Sequence, residues 1–178
     1  MGMPMCSNIA KAGFAVKAFN RNSEKLKPLK DLGISTCNNI EEAISGSDII
    51  ITMLSDDEAV LNVLNQVTKL DFKKNSIFID MSSIKFSTAK KINEITKQNN
   101  LRYVDAPVSG GPEGAKSASL AIMAGGEQAN FDDCQDVLKT MGNPTLVGPS
   151  GSGQVAKLCN QIIVGVTIGA VAEAIILC

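Results

Sequence analysis

Residues Asp48–Leu54 read DIIITML and residues Ser76–Met81 read SIFIDM. The first is an unbroken apolar run of strand length, the pattern required of a parallel strand covered on both faces; the second is a further strand. Helical and strand patterns alternate outward from this pair. On the amino-terminal side, Met1–Ala12 reads as a helix stopped by Gly13, and Phe14–Asn20 as a strand alternating at Phe14, Val16 and Ala18. A helix over Ser23–Leu32, with Ser23 as its N-cap and Gly33 as its stop, and a short helix over Glu41–Ser45 complete that side. Asp57–Val67 is helical between the two quoted strands. On the carboxyl-terminal side come a helix over Ser87–Gln98 capped by Ser87, a strand over Arg102–Asp105 and a Gly-rich loop over Pro107–Gly114. A strand over Leu120–Ala124, a helix over Gln128–Met141, a strand near Thr145–Val147 and the turn Gly148–Gly153 follow, and Gln154–Cys178 reads as one long helix. This alternation predicts an α/β fold with a doubly wound, mostly parallel sheet.

The chain has 178 residues, 44% of them hydrophobic and 20% charged, enough for one globular domain and unlike a disordered or collagen-like chain. Its 17 basic and 18 acidic residues give a net charge of -1 without a basic block, so neither a nucleic acid nor an anionic membrane surface is expected as a partner. The five cysteines are scattered without a CxxC spacing, which predicts no disulfide framework and no metal site and fits a reducing cytoplasm. Histidine is absent, so acid–base chemistry falls to Lys, Asp, Glu or Tyr.

The ends carry their own expectations. Met1–Ala12 has no basic, apolar and cleavage-site succession of a signal peptide. A doubly wound domain opens on a strand, whereas this sequence opens on a helix with Gly2 where a glycine-rich turn would hand over, so a first strand is expected to be missing. Leu158–Ala172 is uncharged but about five residues short of a membrane span, and contains Asn160 and Gln161. It is expected to be covered by protein rather than lipid, through a helical domain or a partner chain. Residues 1–150 are thus expected to form a nucleotide-binding domain lacking its first strand, and 151–178 to begin an interdomain helix leading to an all-helical domain.

Four segments in order, MGMPM with KAG (Met1–Gly13), DMSS (Asp80–Ser83), DAPVSGG (Asp105–Gly111) and GSGQVAKLCNQ (Gly151–Gln161), resemble the β-hydroxyacid dehydrogenase family. That family includes 3-hydroxyisobutyrate dehydrogenase and tartronate semialdehyde (2-hydroxy-3-oxopropionate) reductase. The resemblance spans essentially the whole chain and implies a Rossmann-like fold, an NAD(P) cofactor, a small-molecule carboxylate substrate and, for a full-length protein, a homo-oligomer. Gly2, followed by Met3, resembles the third glycine of the GxGxxG turn, at which backbone N–H groups approach a pyrophosphate.

Asn20, Arg21 and Ser23 follow the second strand, where this fold reads the adenosine ribose. With no carboxylate there and a guanidinium able to hold a 2'-phosphate, NADP is preferred over NAD. Met53, Leu54, Ser55 and Ser83 fall at strand carboxyl ends, and the resemblance implies contacts with ribose and nicotinamide. Ser55 stands where the family often has proline, Ser83 where threonine is usual, and Lys85-Phe86 where Ser-Pro is common.

Ser109 with the N–H groups of Gly110 and Gly111 suits a substrate carboxylate, the role the resemblance implies for this turn. Lys157 is the expected proton donor and acceptor: hydride delivered to an aldehyde carbon leaves an alkoxide that needs a proton, and a partly desolvated lysine can serve both directions. Asn160 and Gln161, at i+3 and i+4, share its helical face and would orient the carbonyl. The pair Asn160-Gln161 resembles tartronate semialdehyde reductases, whereas hydroxyisobutyrate dehydrogenases tend to have Asn-Asn; 6-phosphogluconate dehydrogenases, more distant, have a histidine that this chain lacks. The expected reaction is reduction of 2-hydroxy-3-oxopropanoate. Two alternatives stand beside it: 3-hydroxyisobutyrate oxidation, and a non-catalytic cofactor-binding or interaction module. The acidic Asp56–Glu58 and the lysine-rich Lys25–Lys30 read as solvated helix faces.

Overall fold

The computed structural model describes all residues, Met1–Cys178. The quoted runs form β3 (Ile49–Thr52) and β4 (Ile77–Asp80), which pair in parallel, and β4 pairs in parallel with β5 (Arg102–Asp105). Alternation along them explains why they must be covered twice. Ile77 and Ile79 enter one apolar cluster with Val104, whereas Phe78 enters another with Ile50 and Tyr103. The first cluster is roofed by α1 (Gly2–Lys11) and α7 (Gln128–Lys139), through Met5, Ile9, Phe131 and Leu138. The second is roofed by α4 (Asp57–Val67) and α5 (Phe86–Gln98), through Val60, Leu64, Ala89 and Ile92.

The sheet is mixed. β7 (Leu120–Gly126) runs antiparallel to β5 and to the two-residue β6 (Val108–Ser109), and pairs in parallel with β8 (Gly142–Gly148). The segment expected as a Gly-rich loop, Pro107–Gly114, therefore holds β6 and most of α6 (Gly111–Lys116). Asn8 Nδ2 of α1 donates to Ala115 O of α6 at 2.8 Å, tying the first helix to that segment.

The amino-terminal region departs from the sequence expectations. β1 spans only Lys17–Ala18 and pairs with β2 (Ser35–Thr36) in a sheet of its own, leaving one edge of β3 without a hydrogen-bonded neighbour. With β2 as its only ladder partner, β1 cannot extend over Phe14–Asn20, and Phe14 and Phe19 are exposed. Ser23 is not the N-cap of the next helix. The Asn22 side chain accepts from Glu24 N at 3.0 Å and starts a 3-10 turn (Ser23–Leu26) that leads into α2 (Lys27–Lys30). The third helix is α3 (Ile40–Ile44), capped by Asn39. Nor does Ser87 cap α5: that helix begins at Phe86, behind an extended Lys85 whose N–H donates to Asp57 Oδ1 at 3.0 Å.

The last helix, α8 (Ser152–Leu177), packs on the sheet only through its first turns, where Gly153, Gln154 and Lys157 are buried. Ile162, Ile163, Val166, Ile168, Ile175 and Ile176 are exposed. By length and composition α8 is apolar enough to cross a membrane.

Asp80 is fully buried, and desolvation holds its carboxyl at about 6, against 3.8 ordinarily. Because the folded-state value is the higher one, the stability linked to this group is fully present below about pH 4 and lost as pH rises through about 6. A displacement of this size corresponds to roughly 3 kcal/mol. Asp80→Asn keeps an oxygen for the donors and removes the charge, so its urea-unfolding stability should fall less between about pH 4.5 and 7.5 than that of the parent. Parallel stability curves for the two proteins would contradict this account of Asp80.

Candidate functional site

Parallel strands deliver their carboxyl ends, with the loops that follow, to one side of the sheet. At the ends of β4 and β5, Asp80 and Asp105 sit opposite one another in register, both fully buried. Asp80 Oδ1 accepts from Thr52 Oγ1 of β3 at 2.8 Å and from Ser82 N at 3.1 Å, while Oδ2 has no partner. Ser82 Oγ in turn accepts from Leu54 N at 2.9 Å, so one buried acid organises the loops after both β3 and β4.

Asp105 organises the base of α8. Its Oδ1 accepts from Gly151 N at 2.6 Å and its Oδ2 from Gln154 N at 3.1 Å. The N-cap, Gly151, has no side chain of its own to do this, and its φ of +91° is one that glycine adopts without strain. Burial pushes Asp105 up to about 6, and the helix N–H groups oppose that push. Gln154, 1% exposed, joins α8 to the loop after β4: Oε1 accepts from Ile84 N at 3.1 Å and Nε2 donates to Ser82 O at 2.9 Å.

One turn further along α8, Lys157 is 8% exposed, and burial lowers its pKa from the ordinary lysine value. Its Nζ donates to Gln161 Oε1 at 2.7 Å. Lys157 and Gln161 line a recess of about 290 Å3 together with Ser83, Phe86 and Gln154. Asn160 Oδ1 is buried without a partner. Three of the sequence-predicted residues are thus brought together, namely Ser83, Lys157 and Gln161. Ser109, Gly110 and Gly111 do not line this recess.

The serine-diglycine turn lies beside β7, with Ser109 paired opposite Ala121. Gly110 has φ +130° and Gly111 φ +63°, and a Cβ on Gly110 would come within 3.2 Å of Leu120 Cδ2. Both the backbone and the space therefore select glycine, leaving the turn open to solvent.

Near the carboxyl end of β3, Gly2 at the start of α1 faces Met53, 4.0 Å from its Cβ to the Met53 Cβ were a Cβ present. The α1 terminus has no side-chain cap and no acidic residue in its first turn. Such an end is suited to an anion. Met3 on that turn is exposed. Ser55 Oγ donates to Asp56 Oδ2 at 2.6 Å, and the charge of Arg21 acts on Asp56, helping to lower its pKa after the hydrogen bonds from Ser55 and Ala59. Arg21 and Ser23 are exposed; Asn20 Nδ2 donates to Asn22 O at 3.1 Å and shapes the turn between them. A larger recess of about 340 Å3, lined by Lys90, Arg102, Tyr103, Asn130 and Ser150 among others, contains none of the sequence-predicted site residues.

Asp80, Asp105 and Gln154 are not among the residues that the sequence marks as a site. All three lie within quoted motifs; for the two acids the available signal is a carboxylate closing an apolar strand, a residue that must find donors if buried.

Residues 1–165 match the family described as the NAD binding domain of 6-phosphogluconate dehydrogenase. The chain is 39% identical to 2-hydroxy-3-oxopropionate reductase of Escherichia coli over 99% of its own length and 61% of that protein. It is 34% identical to 2-(hydroxymethyl)glutarate dehydrogenase of Eubacterium barkeri, over 99% of the chain and 60% of that protein. Among solved structures, 3-hydroxyisobutyrate dehydrogenase of Mycobacterium tuberculosis with L-serine superposes with a TM-score of 0.95 at 32% identity, over 99% of this chain and 61% of the other. The chain spans about 60% of the length of these relatives.

Gln154→Ala strands the Ile84 N–H and the Ser82 carbonyl in a buried position. It should cost about 2–4 kcal/mol in urea denaturation, with amide exchange at Ile84 accelerating more than in the strands. A loss within the error of measurement would show that the loop after β4 does not depend on α8.

Proposed function

Because the chain belongs to the family of the NAD binding domain of 6-phosphogluconate dehydrogenase, we propose that it carries the cofactor site and the proton donor of an oxidoreductase acting on a small 3-hydroxyacid or semialdehyde. The observation that carries this reading is Lys157, a lysine held out of solvent beside Ser83 and Gln161 in a chain without histidine.

The residues present fit a dinucleotide. The uncapped start of α1, with Gly2 and Met3, would hold the pyrophosphate; Met53, Leu54, Ser55 and Ser83 would border ribose and nicotinamide. Arg21, exposed beside Asn20 and Ser23, would hold a 2'-phosphate, so NADP is preferred over NAD. Bound there, the cofactor supplies or takes up hydride.

Lys157 handles the proton. In reduction its ammonium donates to the carbonyl oxygen as that oxygen becomes an alkoxide; in oxidation the neutral amine takes the proton back. Burial destabilises the ammonium, easing both its loss of a proton to the alkoxide and the formation of the free amine at lower pH than usual. Gln161 accepts from Nζ and aims it, and Asn160, three residues beyond the lysine with its Oδ1 buried and unpartnered, would supply a second amide. Ser109, Gly110 and Gly111 are the proposed seat of the substrate carboxylate.

Among substrates, 2-hydroxy-3-oxopropanoate is preferred, on the Asn160-Gln161 pair and the 39% identity to the reductase of that name. Oxidation of 3-hydroxyisobutyrate is the alternative in the same class. A cofactor-binding module without turnover is a second reading, favoured by the exposed apolar surface of α8; we propose that this surface is covered by a helical domain or a second copy, as in a homo-oligomer.

The purified chain should quench or shift NADPH fluorescence and oxidise NADPH on addition of 2-hydroxy-3-oxopropanoate. Lys157→Met should retain NADPH binding and lose roughly 10²–10⁴-fold in turnover. Arg21→Ala should weaken NADPH by an order of magnitude or so while sparing NADH. Binding without turnover in the parent would favour the module, and absence of binding would overturn the cofactor assignment.

A further inference from the structure

α8 is 26 residues long, yet it is held to the sheet only at its base. Whatever fixes that base fixes the direction in which Lys157, on its second turn, presents its amine. The carboxylate of Asp105 is the central fixture. It reaches across from the end of β5 to accept Gly151 N at 2.6 Å and Gln154 N at 3.1 Å, and the Gly153 N–H acts on it too. Space for it is built by two glycines from different elements. A Cβ on Gly125 of β7 would lie 2.7 Å from Asp105 Oδ1, and one on Gly153 of α8 would lie 2.8 Å from Oδ2. Asp105 is also four residues before Ser109, so one short segment carries both the clamp on α8 and the serine-diglycine turn.

We infer that Asp105 is a positioning residue: its buried carboxylate clamps the first turn of α8 and thereby sets the placement of Lys157. The inference rests on the proposed role of Lys157 but concerns the amine's placement rather than turnover. An uncharged side chain cannot replace it. Asparagine offers one oxygen and one NH2 group, and the NH2 group would face a helix N–H, donor against donor. A carboxylate accepts on both sides, and the partial positive charge of the helix start favours it there.

The test compares the parent with Asp105→Asn by residue-resolved amide exchange and by a 13Cε-detected titration of Lys157, without cofactor. In the variant, Gly151, Gly153 and Gln154 amides should exchange on the order of 10- to 100-fold faster, with α7 protection unchanged. The Lys157 midpoint should move up, toward the ordinary lysine range, as the amine regains water. Unchanged Lys157 titration, or equal loss of protection throughout the fold, would overturn the inference.

Should the variant fail to fold, the parent supplies a second measurement. Protonating Asp105 should shift the Gly151 and Gln154 amides and the Gln161 side-chain amide with one midpoint. The titratable neighbours whose resonances must be followed alongside are Asp80, Tyr103 and Lys90, the last lying against Gly151. A Gln161 amide indifferent to that titration would overturn the inference equally. None of these readouts needs NADPH, so failure of the parent to bind NADPH counts against the proposed function alone.

Discussion

A carboxylate taken out of water must be met by donors, and this fold takes two such groups out of water side by side. Asp80 and Asp105 occupy matching positions on adjacent strands, and the local architecture at the carboxyl edge of the sheet answers their demand. Thr52 and Ser82 answer Asp80; the first turn of α8 answers Asp105. Gln154 then links the two sets by bridging α8 to the loop after β4. Burial raises both carboxyls to about 6, a cost the fold bears at neutral pH in exchange for loops with one defined arrangement.

That arrangement makes a buried lysine intelligible. A lysine so far withdrawn from water usually has a carboxylate beside it, but Lys157 has the neutral Gln161 oxygen as its hydrogen-bond acceptor and a lowered pKa in consequence of its burial. An amine in this condition exchanges protons readily, which suits a reaction in which hydride and proton travel separately. The serine-diglycine turn does not line the lysine's recess; the proposed substrate would place its carboxylate at the turn and its reacting oxygen at the amine.

Much of this was legible from residues alone, and what was not has a physical reason. The strands covered on both faces, β3 and β4, announce themselves as apolar runs because burial on two sides leaves no polar face. β5 and α4 have the bounds that the sequence pattern predicts. β1 is shorter than the sequence predicts because alternation at Phe14, Val16 and Ala18 mimics a half-buried strand, while the length of a strand depends on which neighbour it finds. Ser23 and Ser87 look like caps, but the donors nearby are satisfied by Asn22 and by Asp57 of a different helix. Lys157 could be singled out from its apolar surroundings. Asp105 could not, since its function depends on Gly125 and Gly153, glycines distant in sequence whose meaning appears only when the space between them is seen.

In the proposed function, the loops at the carboxyl ends of the strands receive a dinucleotide, from the start of α1 to the foot of α8. Mapping amide resonances during an NADPH titration tests it most directly. Perturbations should run through Gly2, Met3, Arg21, Ser55 and Ser83. Perturbations confined to the recess around Lys90, Arg102 and Asn130, with those five amides silent, would contradict it.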